Sequence, residues 1–158
     1  MTPLHPSQLF VLRIRAAIFA ALFVLAAALF VDLPLASEGI LPPGTATAPA
    51  LLVAAALVLW LPRRRYRSWS YAMRPDELHI RSGLWTRSYT VVPFGRVQHL
   101  DVNSGPIERR YGLGTLILHT AGTRGSAVSL PGLLRQDAEA MRDEIREKIR
   151  EDLRREPA

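Results

Sequence analysis

Two stretches free of charged side chains lie close together near the start of this chain, and few folds can hold both. From Ala16 to Val31 every residue is Ala, Ile, Phe, Leu or Val. An α-helix rises 1.5 Å per residue and needs about 20 residues to cross a hydrocarbon core of about 30 Å. The first run reaches that length when Ile14 and Leu33 extend it, with Arg15 snorkelling toward headgroups and Asp32 at the far boundary. The second run lacks charge from Gly39 to Pro62, and Pro42, Pro43 and Pro49 make its beginning irregular. The expectation is a two-helix transmembrane hairpin in residues 1–67, with helices at about 14–33 and 48–62. Two buried core helices of a soluble protein are a poor alternative, because residues 68–158 are too few to wrap helices that are apolar on every side. Residues 1–36 also have the basic start and apolar centre of a cleavable signal. Leu35-Ala36-Ser37 is a poor cleavage site, however, and the second run would still stop transfer.

Charge gives the direction of threading. The chain carries 20 Lys+Arg against 14 Asp+Glu, a formal +6, and Lys148 is its one lysine. Arg13 and Arg15 precede the first apolar run and Arg63, Arg64, Arg65 and Arg67 follow the second, while the connection holds only Asp32 and Glu38. Lys and Arg gather on the cytoplasmic side of short loops, so the chain is expected in the cell membrane with both termini cytoplasmic. Trp60, Tyr66 and Trp69 fall at that same boundary, where amphipathic rings favour the headgroup layer.

Beyond Trp69 the pattern changes to short alternating runs broken by Gly, Pro and Asn, which predicts strands and turns. Ser68–Met73, Glu77–Arg81, Leu84–Val92, Arg96–Asn103, Thr115–Thr120 and Ser126–Leu130 are the expected strands. In the fourth the alternation slips after Gln98, which predicts a bulge. Ser104–Gly114 reads as irregular and Ala121–Gly125 as a hairpin loop. After Pro131-Gly132, Leu134, Ala138, Met141, Ile145, Ile149 and Leu153 recur every three or four residues and form one apolar stripe. Glu144 with Lys148 and Glu151 with Arg155 are acid-first pairs four apart on the charged face. Such a helix must bury its stripe on a sheet, so residues 68–158 form an α+β domain of antiparallel strands closed by a C-terminal helix.

The order of these parts resembles a known family. Trp69 and Tyr71, Gly83-Leu84, Pro93, Arg96-Val97-Gln98, Gly105–Gly114 and Leu116–Gly122 follow two membrane helices in the arrangement of the YdbS-like bacterial pleckstrin-homology (PH) domain membrane proteins. The resemblance covers almost the whole chain. It implies a PH-like bent antiparallel β-sheet or barrel capped by the C-terminal helix, and it brings no established reaction or cofactor. Trp69, Tyr71, Gly83, Pro93, Gly105, Pro106, Tyr111 and Gly112 are then structural positions of the family motif.

Two basic features have a structural and a functional reading. Arg109 and Arg110 beside Gly105-Pro106 suit a phosphate or carboxylate bidentately. Equally, the glycines and proline shape a tight hook with Ile107, Tyr111 and Leu113 buried and the arginines solvated or paired with Glu108 or Asp101, and this is the simpler reading. In Arg63-Arg64-Arg65-Tyr66-Arg67, topology alone accounts for the charge, although proximity to an anionic leaflet brings lipid contact with it. Arg124 joins these as a candidate lipid or partner contact.

Catalytic signatures do not occur. There is no Gly-x-Ser-x-Gly, no phosphate-binding Gly-x-x-x-x-Gly-Lys-Ser/Thr, no Gly-x-Gly-x-x-Gly after a strand and no His-Glu-x-x-His. Without cysteine, thiolate catalysis and disulfides are excluded. His79, His99 and His119 fall in separate strands and are expected to be exposed or at sheet edges. No cofactor, metal or nucleic acid is therefore expected. The expected partners are the lipid bilayer and other membrane proteins, or further copies in a homo- or hetero-oligomer. The leading expectation is a membrane-anchored, non-enzymatic PH-like module that assembles with other envelope proteins. An anionic lipid headgroup sensor and an accessory subunit of a transporter or membrane protease are the alternatives.

Overall fold

A computed structural model describes the chain apart from Leu41, residues 122–126 and 156–158, and the side chains of Leu153 and Arg155. It divides into two compact units: Leu9–Arg65, and a second made of Met1–Gln8 together with Tyr66–Ala158. The sequence assigns all of residues 1–67 to the hairpin. The structure instead joins Met1–Gln8 to the C-terminal domain through a two-residue strand, β1 (Thr2–Pro3).

The hairpin begins with α1 (Ser7–Ala27), passes through a π-helical turn at Ala28–Asp32 and continues as α2 (Leu33–Ser37). Pro34 has no N–H and its ring crowds the preceding turn, and the widened π turn lies immediately before it. The second helix, α3, is Thr47–Arg67 and contains Pro62. Both helical stretches outrun the expected limits: the first takes in residues 7–13 ahead of the apolar run and 34–37 behind it, and the second continues through the arginines of residues 63–67. Each is long and apolar enough to cross a membrane. Their large side chains, such as Phe19, Phe30 and Leu52, are exposed, as lipid-facing residues are.

Asp32 ties the two helices together. Its carboxylate accepts hydrogen bonds from the N–H of Ala46 at 2.8 Å and of Thr47 at 2.9 Å, and from the Thr47 hydroxyl. It thereby serves two of the orphan donors at the start of α3.

The second unit contains two antiparallel sheets. One has the order β1-β2-β3-β4, with β2 Ser70–Met73, β3 Glu77–Ser82 and β4 Ser88–Pro93. A 3-10 turn at Phe94–Arg96 leads to β5 (Val97–Asn103). After a short helix α4 (Pro106–Arg110), β6 (Leu113–Thr120) and β7 (Ala127–Leu134) complete the sheet β5-β6-β7. The final helix, α5, is Arg135–Arg155. The bulge expected after Gln98 is present, since the β5–β6 register shifts between Val97 and His99.

Several expectations about the elements of this unit fail, among them the third strand, which begins at Ser88 and not at Leu84. The sequence predicts a last strand that stops before Pro131-Gly132, yet β7 continues to Leu134, which is therefore not the first residue of the helical stripe. A second register shift, between Gly114 and Leu116, absorbs Pro131-Gly132, and an edge strand tolerates a proline. The segment that reads as irregular includes α4. The hairpin loop expected at 121–125 lies largely outside the described residues.

The core is built from alternate strand residues and the helix stripe. Leu78, Ile80, Val92, Phe94, Leu116, Leu118, Leu130, Leu133, Ala138 and Ile145 are buried, and Trp69, Tyr71, Met73, Met141 and Ile149 pack against them. Leu4 also belongs to this cluster, with 2% of its surface exposed. It is held by flanking hydrogen bonds: the Tyr66 hydroxyl donates to its carbonyl oxygen at 2.8 Å, and the His5 N–H donates to the Gly132 carbonyl at 2.8 Å. Strand pairing of Thr2 with Tyr71 and of Pro3 with Ser70 completes the insertion.

Candidate functional site

The hook between β5 and β6 is organised by its own polar groups. Gly105 precedes α4, Pro106 occupies the first turn where a missing N–H costs nothing, and the Glu108 carboxylate reaches back to accept the Gly105 N–H at 2.9 Å. The Arg109 N–H donates to the Gly105 carbonyl at 2.8 Å. Gly112, at φ 64°, turns the chain out of the helix, and its carbonyl accepts the Arg135 N–H at 2.9 Å. The Ser104 hydroxyl closes the base by donating to the Leu113 carbonyl at 2.8 Å. Glu108 is thus buried and turned inward, while Arg109 and Arg110 are exposed and make no ion pair with the described residues. Leu113 is fully buried as expected and Ile107 half-buried, but Tyr111 is 38% exposed, because it follows the end of α4 where the chain turns back toward solvent.

The other candidates are placed as follows. Arg63, Arg64, Arg65 and Arg67 lie on the last turns of α3, beyond Pro62, and the Arg64 guanidinium stacks over the Trp60 ring at 4.4 Å. Trp69 and Tyr71 are core-packing residues, and burial, with Asp137 as the smaller cause, raises the Tyr71 phenol above its ordinary value. Gly83 opens the β3–β4 hairpin at φ 120°, where a Cβ would come within 1.8 Å of the Thr86 carbonyl oxygen. Pro93 ends β4. Arg124 and Gly122 lie outside the described residues.

The histidines behave differently from one another. His79 is 8% exposed, contrary to the expectation of an exposed or edge position, since its ring is held between the Glu77 carboxylate at Nε2 and the Tyr89 hydroxyl at Nδ1. Both ring nitrogens therefore have partners within the fold. His99 and His119 are cross-strand neighbours in β5 and β6, and His119 Nε2 lies 3.1 Å from Asp101. Lys148 is also engaged, 3.2 Å from Glu144 and 5.5 Å from the Phe94 ring centroid.

One feature has almost no signature in the sequence. A groove of about 460 Å³ runs between β5 and α5, lined by Val97, Leu100 and His119 on the sheet and by Arg146, Ile149 and Arg150 on the helix. Its only sequence signal is the placement of Arg146 and Arg150 beside Ile149 at the edge of the apolar stripe, which reads equally as a solvated flank.

Apolar helices long enough to span a bilayer, joined to two antiparallel sheets and a closing helix, define a membrane protein with a PH-like domain. The sequence comparisons agree: the Bacterial PH domain family model matches residues 16–149, and the chain belongs to that family. It is 35% identical over 95 residues to the transmembrane protein YdbS of Bacillus subtilis (strain 168). That match covers 60% of this chain and 58% of the relative. No solved structure matches the chain.

Proposed function

We propose that this protein is a non-enzymatic PH-like module, anchored by a helix pair that crosses the membrane twice, which binds or assembles with other envelope proteins on the cytoplasmic face. The observation that carries the reading is the hook, whose own polar groups are satisfied while Arg109 and Arg110 stand exposed without ion pairs to the described residues. Arginine is favoured at protein interfaces for its planar, multiply donating head. Tethering makes even weak contacts with another membrane protein effective, by raising local concentration.

Topology follows from similar support. The pairing of β1 with β2 supports a reading in which Met1–Gln8 and the C-terminal domain share one side of the membrane, which suits an even number of crossings. The arginines flanking α1 and α3 favour the cytoplasm as that side. A reporter fused behind Ala158 is expected to be active only in the cytoplasm. For the interaction, the full-length protein and an Arg109→Ala/Arg110→Ala variant are crosslinked in intact membranes and the products identified. A defined partner lost in the variant supports the proposal, and an identical, partner-free profile for both overturns it.

A lipid headgroup reading is favoured by Arg64 over Trp60, a pairing suited to the headgroup layer. Native mass spectrometry of the full-length chain released from mixed micelles tests it. Retention of phosphatidylglycerol or cardiolipin over phosphatidylcholine is expected if it holds, and equal retention removes it.

A further inference from the structure

Two sheets have four edges, and three of those edges carry a proline. β1 contains Pro3, β4 ends on Pro93 and β7 contains Pro131. Proline offers no N–H to an incoming strand and is a common guard against unwanted pairing. The fourth edge, β5, has none, and among the described residues no strand pairs with its outer side. Its bulge lies at the beginning, between Val97 and His99, leaving Leu100 to Asn103 in regular register with Leu118 to Thr115 of β6. A length of straight, unguarded strand is therefore available.

This edge also has the side-chain chemistry of a recognition groove. Val97, Leu100 and Ile149 give it an apolar floor, and α5 supplies one wall. The charges on the rim are unequal in availability. Asp101 is engaged by His119 at 3.1 Å, and Arg150 lies 3.2 Å from Glu147, whereas Arg146 is exposed and has no ion pair with any described residue. The unsatisfied charge beside the unsatisfied backbone is thus positive.

We propose that the outer edge of β5 takes up an extended segment of a partner protein as an added strand, with alternate apolar side chains on the Val97–Leu100–Ile149 floor and a carboxylate meeting Arg146. Backbone hydrogen bonds supply affinity in this mode, and the pockets for alternate side chains supply selectivity. The proposal rests on the interaction-module reading above and names the surface and the partner chemistry. A second copy of this chain fits less well. The acid its β5 brings, Asp101, is already engaged by its own His119.

The test uses the full-length protein in nanodiscs and a phage-displayed library of random extended peptides. The absence of cysteine permits a block applied after folding. Gln98→Cys on the β5 edge is capped with a bulky polyethylene-glycol maleimide, and Ser129→Cys on the β7 edge is capped as a control. Enriched peptides are expected to carry an acidic residue within an apolar alternation and to lose about tenfold or more in affinity on the Gln98→Cys block but not on the control. Arg146→Glu is expected to weaken them about tenfold and to shift enrichment toward basic residues. Binding that survives the β5 block, or an acidic preference that Arg146→Glu leaves unchanged, overturns the proposal while the interaction reading stands on its own crosslinking test. Enrichment of no peptide overturns it too. Disulfide-linked dimers of Gln98→Cys formed in membranes without peptide assign the edge to a second copy and overturn the partner-segment form.

Discussion

The Tyr66 hydroxyl donates a hydrogen bond to the Leu4 carbonyl across 62 residues of chain, and Leu4 is buried in the core that Tyr66 helps to cover. A residue close to the amino terminus is thereby part of the C-terminal domain. Leu4→Ala should destabilise that domain by about 2–3 kcal/mol, the lower part of the range for a buried leucine, since a terminal segment can relax. Tyr66→Phe should cost about 1 kcal/mol through the lost hydrogen bond. Denaturant unfolding of the full-length protein in detergent, followed by tryptophan fluorescence, measures both. Wild-type stability in Leu4→Ala would show that the amino-terminal segment is not part of the core.

Gly83 leaves no room for a side chain. At φ 120°, and with the Thr86 carbonyl oxygen 1.8 Å from where a Cβ would stand, Gly83→Ala must move the β3–β4 hairpin backbone. A loss of about 2 kcal/mol or more is expected, against about 0.5 kcal/mol or less for Gly95→Ala, whose surroundings are open. Equal losses in the two variants would contradict the hairpin conformation.

Tyr71 gives the domain a pH dependence on the alkaline side. Burial, and then Asp137, raise its phenol in the folded state, so the unfolded chain loses the proton first as pH rises. The stabilisation is complete below about pH 10, the ordinary tyrosine value, and is lost as pH rises through the folded value. Urea midpoints should therefore fall above about pH 10, and Tyr71→Phe should flatten that fall. A slope unchanged in Tyr71→Phe would assign the effect elsewhere.

Asp32 should matter out of proportion to its place in an apolar hairpin. Asp32→Ala leaves the Ala46 and Thr47 N–H groups without their acceptor, at a cost of about 1–2 kcal/mol. Asp32→Asn keeps an acceptor and should lose less. Thermal unfolding in detergent, read by the helical circular dichroism signal, separates the two, and identical midpoints for both variants and wild type would exclude the cap.

The parts legible in the sequence are those with a period. Lipid-facing helices announce themselves by continuous apolarity, the β5 bulge by a slipped alternation at Gln98, and α5 by the stripe through Ala138 and Ile145. The Glu144–Lys148 pair follows from spacing alone and closes at 3.2 Å. What is hidden lacks a period. Leu4 follows a two-residue strand and lies between Pro3 and Pro6, a stretch too short to alternate, and only its tertiary socket reveals its role. His79 alternates outward correctly but is buried by Glu77 and Tyr89, one of them ten residues away. The groove beside β5 depends on α5 returning to the sheet edge, a long-range juxtaposition that neither Leu100 nor Arg146 signals alone.

β1 is synthesised before either membrane helix and its partner β2 after both, with Thr2 waiting for Tyr71. The first strand of the domain can therefore pair only after both intervening helices have been made. Until then the Leu4 socket stays open and the β2 edge unpaired, so that the domain is completed only once the whole hairpin has been synthesised.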